Sequence, residues 1–222
     1  MTFITQQIGG RRGGMRAVLV AGLALFLSGC SESTPPWNST PIEGLMPSLA
    51  FDLTDARDAR VTADDYRGKV CLLYFGYTHC PGICPTTLAT LSAAVRSLGP
   101  EADRVRVLFV SVDPWRDTPE VLGAYAKRFG PQVVGLTGDV PALAGLARRY
   151  RVVFDEAPPP VAEGHEGHEG HEGHAGQEGR NYAVNHSNGI FAFDAGHRAR
   201  LLMREDSGIP ALASDLRRLV RD

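Results

Sequence analysis

The sequence predicts an α/β fold, a sandwich of helices around a mostly parallel central sheet. Three observations predict it. Short, β-rich apolar runs alternate with longer segments of helical spacing. The strand-like runs are apolar at every neighbour, as strands buried on both faces of a parallel sheet have to be. The alternation then ends in a hairpin and a last helix, and a chain of strand–helix–strand units closes as helices packed on both faces of one sheet.

The elements follow in order. "VCLLYFGY" (Val70–Tyr77) is continuous and β-rich, so it reads as a buried strand. "TTLATLSAAVRSLG" (Thr86–Gly99) puts Leu88, Leu91 and Val95 on one helical face. "VRVLFVSVD" (Val105–Asp113) is a second buried strand. "TPEVLGAYAKRFG" (Thr118–Gly130) has Thr118 to cap a helix, Pro119 in its first turn and a glycine past its end. "VVGLTG", "VPALAGLARRY" and "RVVF" give strand, helix and strand. "NGIFAFDAGHRARLLMRE" (Asn188–Glu205) reads as a hairpin turning at Ala195-Gly196-His197, and "IPALASDLRRLV" is the closing helix. One segment breaks the pattern. "APPPVAEGHEGHEGHEGHAGQEG" (Ala157–Gly179) is built on a Gly-His-Glu repeat, has almost no apolar content and is expected to be a disordered insert.

The N-terminus reads as an export signal over residues 1–29. Arg11, Arg12 and Arg16 form its positive region and "AVLVAGLALFL" (Ala17–Leu27) its apolar region. As a helix those 11 residues reach roughly 16 Å, about half of a bilayer core. Met15 is an alternative start, and ordinary secretion is favoured over a twin-arginine route. "LSGC" (Leu27–Cys30) resembles a bacterial lipobox, which makes Cys30 a lipidated first residue. Residues 30–44 then form a flexible tether, with "SESTPPWNSTP" as its polar stretch, and 45–222 the folded domain. Without the signal the chain carries 20 basic and 25 acidic side chains. No basic stripe of the kind that phosphates require is present, so nucleic acid is not expected as a partner.

The cysteines then sort themselves. Cys30 is assigned to lipid, and Cys71, inside an apolar strand, to the core. Cys80 and Cys84 remain in "YTHCPGICPTT", between a strand and a helix, in a chain exported to an oxidising compartment. With Pro85 at the first helical position, Cys84 is expected at the N-cap, and both thiols are expected to be partly exposed and of lowered pKa. The pair has one residue more than the Cys-x-x-Cys of thioredoxin-type enzymes. Peroxiredoxin spacing fails, because the required Pro and Thr positions hold Leu73 and Tyr77. Two thiolates are soft donors and favour Cu(I), and a histidine would complete a trigonal site. His186, in the turn before the hairpin, is the candidate; read locally, a lone histidine in a loop is more often a surface residue. His165, His168, His171 and His174 in the repeat are secondary metal candidates, for Cu(II), Zn or Ni.

"LMPSLAFDLTD", "YRGKVCLLYFGYTHCPGICPTTLATL", "VSVDPWRDTPEVL", "VVGLTG" and "YAVNHS" together resemble the SCO/SenC family, anchored copper proteins of cytochrome oxidase assembly. The resemblance runs from about Glu43 to the C-terminus, the His-rich insert excepted. It implies a thioredoxin-like fold and a copper site made by Cys80, Cys84 and His186. "VDPWRDTP" matches at Asp113, Pro114, Arg116, Asp117, Thr118 and Pro119; it reads first as strand end, turn and cap, and second as a surface near the site. The family commonly has Asp before the ligand histidine, where this chain has Asn185.

The expected function is a metallochaperone. It is lipid-anchored in the bacterial cell membrane and faces the periplasm. It takes copper, as Cu(I) and also as Cu(II), from a donor protein and passes it to the binuclear copper site of cytochrome c oxidase subunit II. The alternatives are a thiol–disulfide reductase, with Cys80 and Cys84 as its redox pair, that keeps the cysteines of that copper site reduced, and a copper-responsive redox sensor. Delivery needs His186, whereas reduction needs only the two thiols.

Overall fold

The computed structural model describes residues 36–154 and 189–222. Among them one sheet is built from β1 (Thr40–Pro41), β2 (Asp52–Asp55), β3 (Arg60–Thr62), β4 (Val70–Gly76), β5 (Val105–Ser111), β6 (Val133–Thr137), β7 (Ile190–Phe193) and β8 (Ala199–Met203). The strands lie in the order β1-β8-β7-β4-β5-β6-β2-β3. The central three, β4, β5 and β6, are parallel, as the apolar runs predict. The flanking strands pair antiparallel, so the sheet as a whole is mixed. The helices are α1 (Ile83–Arg96), α2 (Pro119–Lys127), α3 (Val140–Arg149) and α4 (Ile209–Arg221).

β4 shows why the sheet has a core on each face. All seven of its residues are buried. Val70, Leu72 and Tyr74 point to one side, where Leu88 and Leu91 of α1, Leu122 and Tyr125 of α2 and Leu212, Leu216 and Leu219 of α4 cover them. Cys71, Leu73 and Phe75 point to the other, against Leu143 and Leu146 of α3, Tyr150, Phe191 and Phe193. Cys71 is fully buried, as expected of a small core residue, and burial pushes its thiol up to about 12.

Two local expectations are corrected, and one element is added. "RVVF" is not a strand. Arg151 takes a left-handed conformation (φ 56°), and the Val152 N–H donates back to the Ala147 carbonyl at 2.9 Å. The segment therefore closes helix α3, and only Phe154 forms a bridge. The β2–β3 hairpin was not foreseen, because its strands are short and their partly exposed residues blur the alternation. Helix α1 begins three residues before the predicted Thr86, with Gly82 at its N-cap and Cys84 inside its first turn.

Parallel pairing places the site. The register puts Gly76, the last residue of β4, beside Ser111, the last of β5. The loops that follow, 77–82 and 112–118, therefore leave the same edge of the sheet. Carboxyl ends of adjacent parallel strands are where an open α/β sheet leaves a crevice for ligands.

Candidate metal centre

Beyond Gly76 the chain makes a tight turn, with the Cys80 N–H donating to the Tyr77 carbonyl at 3.3 Å. Pro81 and Gly82 are exposed, and α1 starts at Ile83. Gly76 is required by what lies over it. A Cβ there would sit 2.7 Å from the Phe109 ring and 2.9 Å from the Cys84 sulfur. The missing side chain lets Cys84 settle on the end of β4, fully buried, while Cys80 stays half-buried at the crevice.

Neither thiol is in a disulfide, and the two are chemically unequal. For Cys80, partial burial opposes the thiolate, but hydrogen bonds outweigh it. They come from the backbone N–H groups of Cys84 (3.5 Å) and Gly82, from the Cys84 thiol and from the Ile83 N–H, and the Cys80 pKa is lowered. For Cys84 burial dominates and pushes the thiol up to about 12; the adjacent Cys80 adds to that, and hydrogen bonds from the Tyr77 backbone and the Tyr74 hydroxyl only partly oppose it. The expectation that both sulfurs are partly exposed and low in pKa thus holds for Cys80 alone. One turn of helix carries Cys84 off the cap and into the core.

Around the thiols lies a buried polar layer that sequence reasoning largely missed. The Asp117 carboxylate is fully buried. It accepts from the Thr78 N–H at 2.8 Å, the Thr78 hydroxyl at 2.5 Å and the Ser111 hydroxyl at 2.6 Å. It thereby ties the turn that carries Cys80 to the end of β5. Asp113, also buried, forms an ion pair with Arg116, whose guanidinium lies 5.6 Å from the centre of the Tyr77 ring. Thr118 caps α2, accepting from the Val121 N–H at 3.4 Å, as predicted. "VDPWRDTP" is therefore both a strand end with a helix cap and the support of the cysteine turn. The available signal was two aspartates in the turn that follows a mostly apolar strand.

The structure brings Cys80 and Cys84 together. Cys30, His165, His168, His171, His174 and His186 lie outside the described residues. Strand β7 opens with Ile190 opposite Tyr74, so the chain enters it at the carboxyl end of β4, the edge from which the cysteine turn leaves. His197 is at the opposite edge, just beyond Phe193, which pairs with Cys71 at the start of β4. It is buried, neither ring nitrogen has a hydrogen-bond partner, and it cannot join the pair. Among the described residues no group of three or more Cys, His, Asp or Glu is poised to hold a metal, so this part of the chain supplies the two sulfurs.

A family model described as SCO1/SenC matches residues 46–221. "Protein sco1" of Schizosaccharomyces pombe is 41% identical over 106 residues, which are 47% of this chain and 40% of that protein. "Protein SCO1 homolog, mitochondrial" of Homo sapiens is 40% identical over 114 residues, 49% of this chain and 36% of the relative. The matched stretch thus spans about two fifths of the length of these curated relatives. Among solved structures, Bradyrhizobium japonicum ScoI with copper bound is 33% identical, with a TM-score of 0.63, and covers 77% of this chain and 98% of its own.

Proposed function

The chain belongs to the SCO1/SenC family, its fold is thioredoxin-like, and from that premise we propose that it is a copper chaperone. Copper is cargo, and its ligands are Cys80, Cys84 and His186. The observation that carries this reading is the pair of sulfurs outside any disulfide at the carboxyl edge of the parallel strands, one half-buried and inclined to ionise, one buried. Two soft thiolates and an imidazole suit three-coordinate Cu(I). The entry of β7 at the same edge supports His186, four residues before Ile190, as the third ligand. The copper-bound relative supports the choice of metal. Copper would displace the Cys84 proton, which burial otherwise holds so firmly. Metal binding therefore releases protons and weakens as pH falls.

In this proposal the acceptor is the binuclear copper site of cytochrome c oxidase subunit II, and the copper comes from a donor protein in the exported space. Residues 1–29 direct export and lipidated Cys30 anchors the chain to the bacterial membrane; the expected tether of 30–44 is shortened to 30–36, because the Ser39 N–H donates to Asp215 at 2.8 Å and Thr40–Pro41 pairs with β8, which makes this stretch part of the folded domain. Among the described residues no helix is long and apolar enough to cross a membrane.

The unequal thiols also favour a second reading, reduction of a target disulfide. The Cys80 thiolate attacks one sulfur of the target, and a mixed disulfide forms as the other target sulfur leaves and takes a proton. The Cys84 thiol then loses its proton and attacks Cys80, and the second target sulfur is released as a thiol. The chain ends as a Cys80–Cys84 disulfide, and two electrons have passed to the target. The two readings separate at His186. Cu(I) titration should give one tight site in the wild type and none in Cys80→Ser or Cys84→Ser. His186→Ala should bind more weakly yet keep an oxidisable thiol pair. Undiminished affinity in His186→Ala would remove His186 from the ligand set.

A further inference from the structure

His79 is the residue before Cys80, and the hydrogen-bond network decides which of its nitrogens faces out. Its Nδ1 lies 3.1 Å from the Thr78 hydroxyl oxygen and 3.7 Å from Asp117 Oδ1. The Thr78 hydroxyl has one proton, and it is given to Asp117 Oδ1 at 2.5 Å. Toward His79 the hydroxyl can then only accept, so Nδ1 must carry the ring proton. The neutral imidazole is left with its free lone pair on Nε2. A carboxylate that fixes a histidine tautomer, here through one hydroxyl, is the arrangement that orients and strengthens metal-binding imidazoles.

Access supports the same conclusion. The His79 side chain is 52% exposed, Cys80 is half-buried and Cys84 is fully buried. An ion arriving from solvent or from another protein meets His79 first. His79 immediately precedes Cys80 in the turn at the crevice, where Cys80 is half-buried.

We propose that His79 is the entry ligand of the copper site. This rests on the copper reading above and adds a stop before it. A Cu(I)–Nε2 bond forms as one bond to the donor breaks. A Cu(I)–sulfur bond to Cys80 follows as the last donor bond breaks, any remaining Cys80 thiol proton passing to water, and a Cu(I)–sulfur bond to Cys84 then forms as its thiol proton passes to water and the Nε2 bond breaks. Copper stays Cu(I) throughout, so no oxidant or reductant is needed. Thr78 and Asp117 are positioning residues in this step.

The test uses Cu(I) presented as its bicinchoninate complex to the reduced full chain. His79→Ala should still take up one tight Cu(I), but about tenfold more slowly. Thr78→Val should slow uptake similarly, since loss of an outer partner of a ligand typically costs at least that factor. Nitrogen-15 spectra of the metal-free wild type should show His79 protonated at Nδ1, and Thr78→Val should lose that preference. Uptake by His79→Ala at the wild-type rate, or an Nε2-protonated His79 in the wild type, would overturn the entry ligand and leave the copper site standing. Uptake by Cys80→Ser equal to the wild type would overturn the copper site itself, and the entry step with it.

Discussion

At the scale of single residues, the decisive quantity is how deeply a thiol is buried. Cys71 and Cys84 are both held near 12 by burial, while thiols of an unfolded chain ionise near 8.5. The unfolded state therefore loses these protons first, and stability falls as pH rises above the unfolded value. Cys80 has the opposite sign: its lowered pKa contributes stability already complete above the unfolded value and lost as pH falls through the folded one. Between about pH 8.5 and 10, below the ordinary phenol range, urea unfolding of the reduced, metal-free protein should show stability declining with pH. Each of the two buried thiols contributes at most about 1.4 kcal/mol per pH unit. Cys71→Ala should flatten that decline by one thiol, and an unchanged slope would mean that Cys71 ionises freely in the folded state.

At the scale of elements, the site depends on the junction between β4 and α1. The strand ends in a glycine because the helix brings Cys84 down upon it, with the Phe109 ring alongside. Gly76→Ala would push a methyl group into both. Overpacking of this kind costs about 1–3 kcal/mol, and the easiest relief is to move the first turn of α1 away from the sheet. The variant should unfold at lower urea and bind Cu(I) more weakly, because the sulfur separation changes. Measured together, unaltered stability and affinity would show that the junction is looser than the contacts imply. The Asp117–Thr78 tie acts at the same scale, since it fixes one side of the turn to β5 while Gly76 accommodates the other.

At the scale of the whole molecule, the domain is joined to two segments outside the described residues. The Gly-His-Glu repeat should act as a secondary, less selective metal collector. Ordering a chain segment costs roughly 1 kcal/mol or more per fixed residue, so weaker sites than the thiol pair are expected of the repeat. Deletion of residues 163–179 should keep one tight Cu(I) site and lose weaker capacity for Cu(II) and Zn. Unchanged divalent stoichiometry would make the repeat a linker, which a surface insertion tolerates at little entropic cost. At the N-terminus, mass spectrometry of the native protein should find acylated Cys30. A free amino terminus downstream of it would exclude the lipid anchor.

By itself the sequence determined the parallel centre of the sheet, the faces of its helices, the cap at Thr118 and the pairing of Cys80 with Cys84. These depend on periodicity, composition and spacing along a few neighbouring residues, and such terms are local. It also carried the family, through the order of its motifs. Only the tertiary structure decided that Cys84 is buried and Cys80 is not, that Asp117 holds Thr78 and that His197 lies at the wrong edge of the sheet. It likewise decided that "RVVF" ends a helix instead of opening a strand. The "RVVF" turn is local, set by Arg151 and the Val152–Ala147 hydrogen bond; the other three share one physical reason. Desolvation, hydrogen-bond partnership and distance from a site are set by residues far away in the chain: Phe109 beside Cys84, Asp117 beneath Thr78, and β7 running antiparallel to β4.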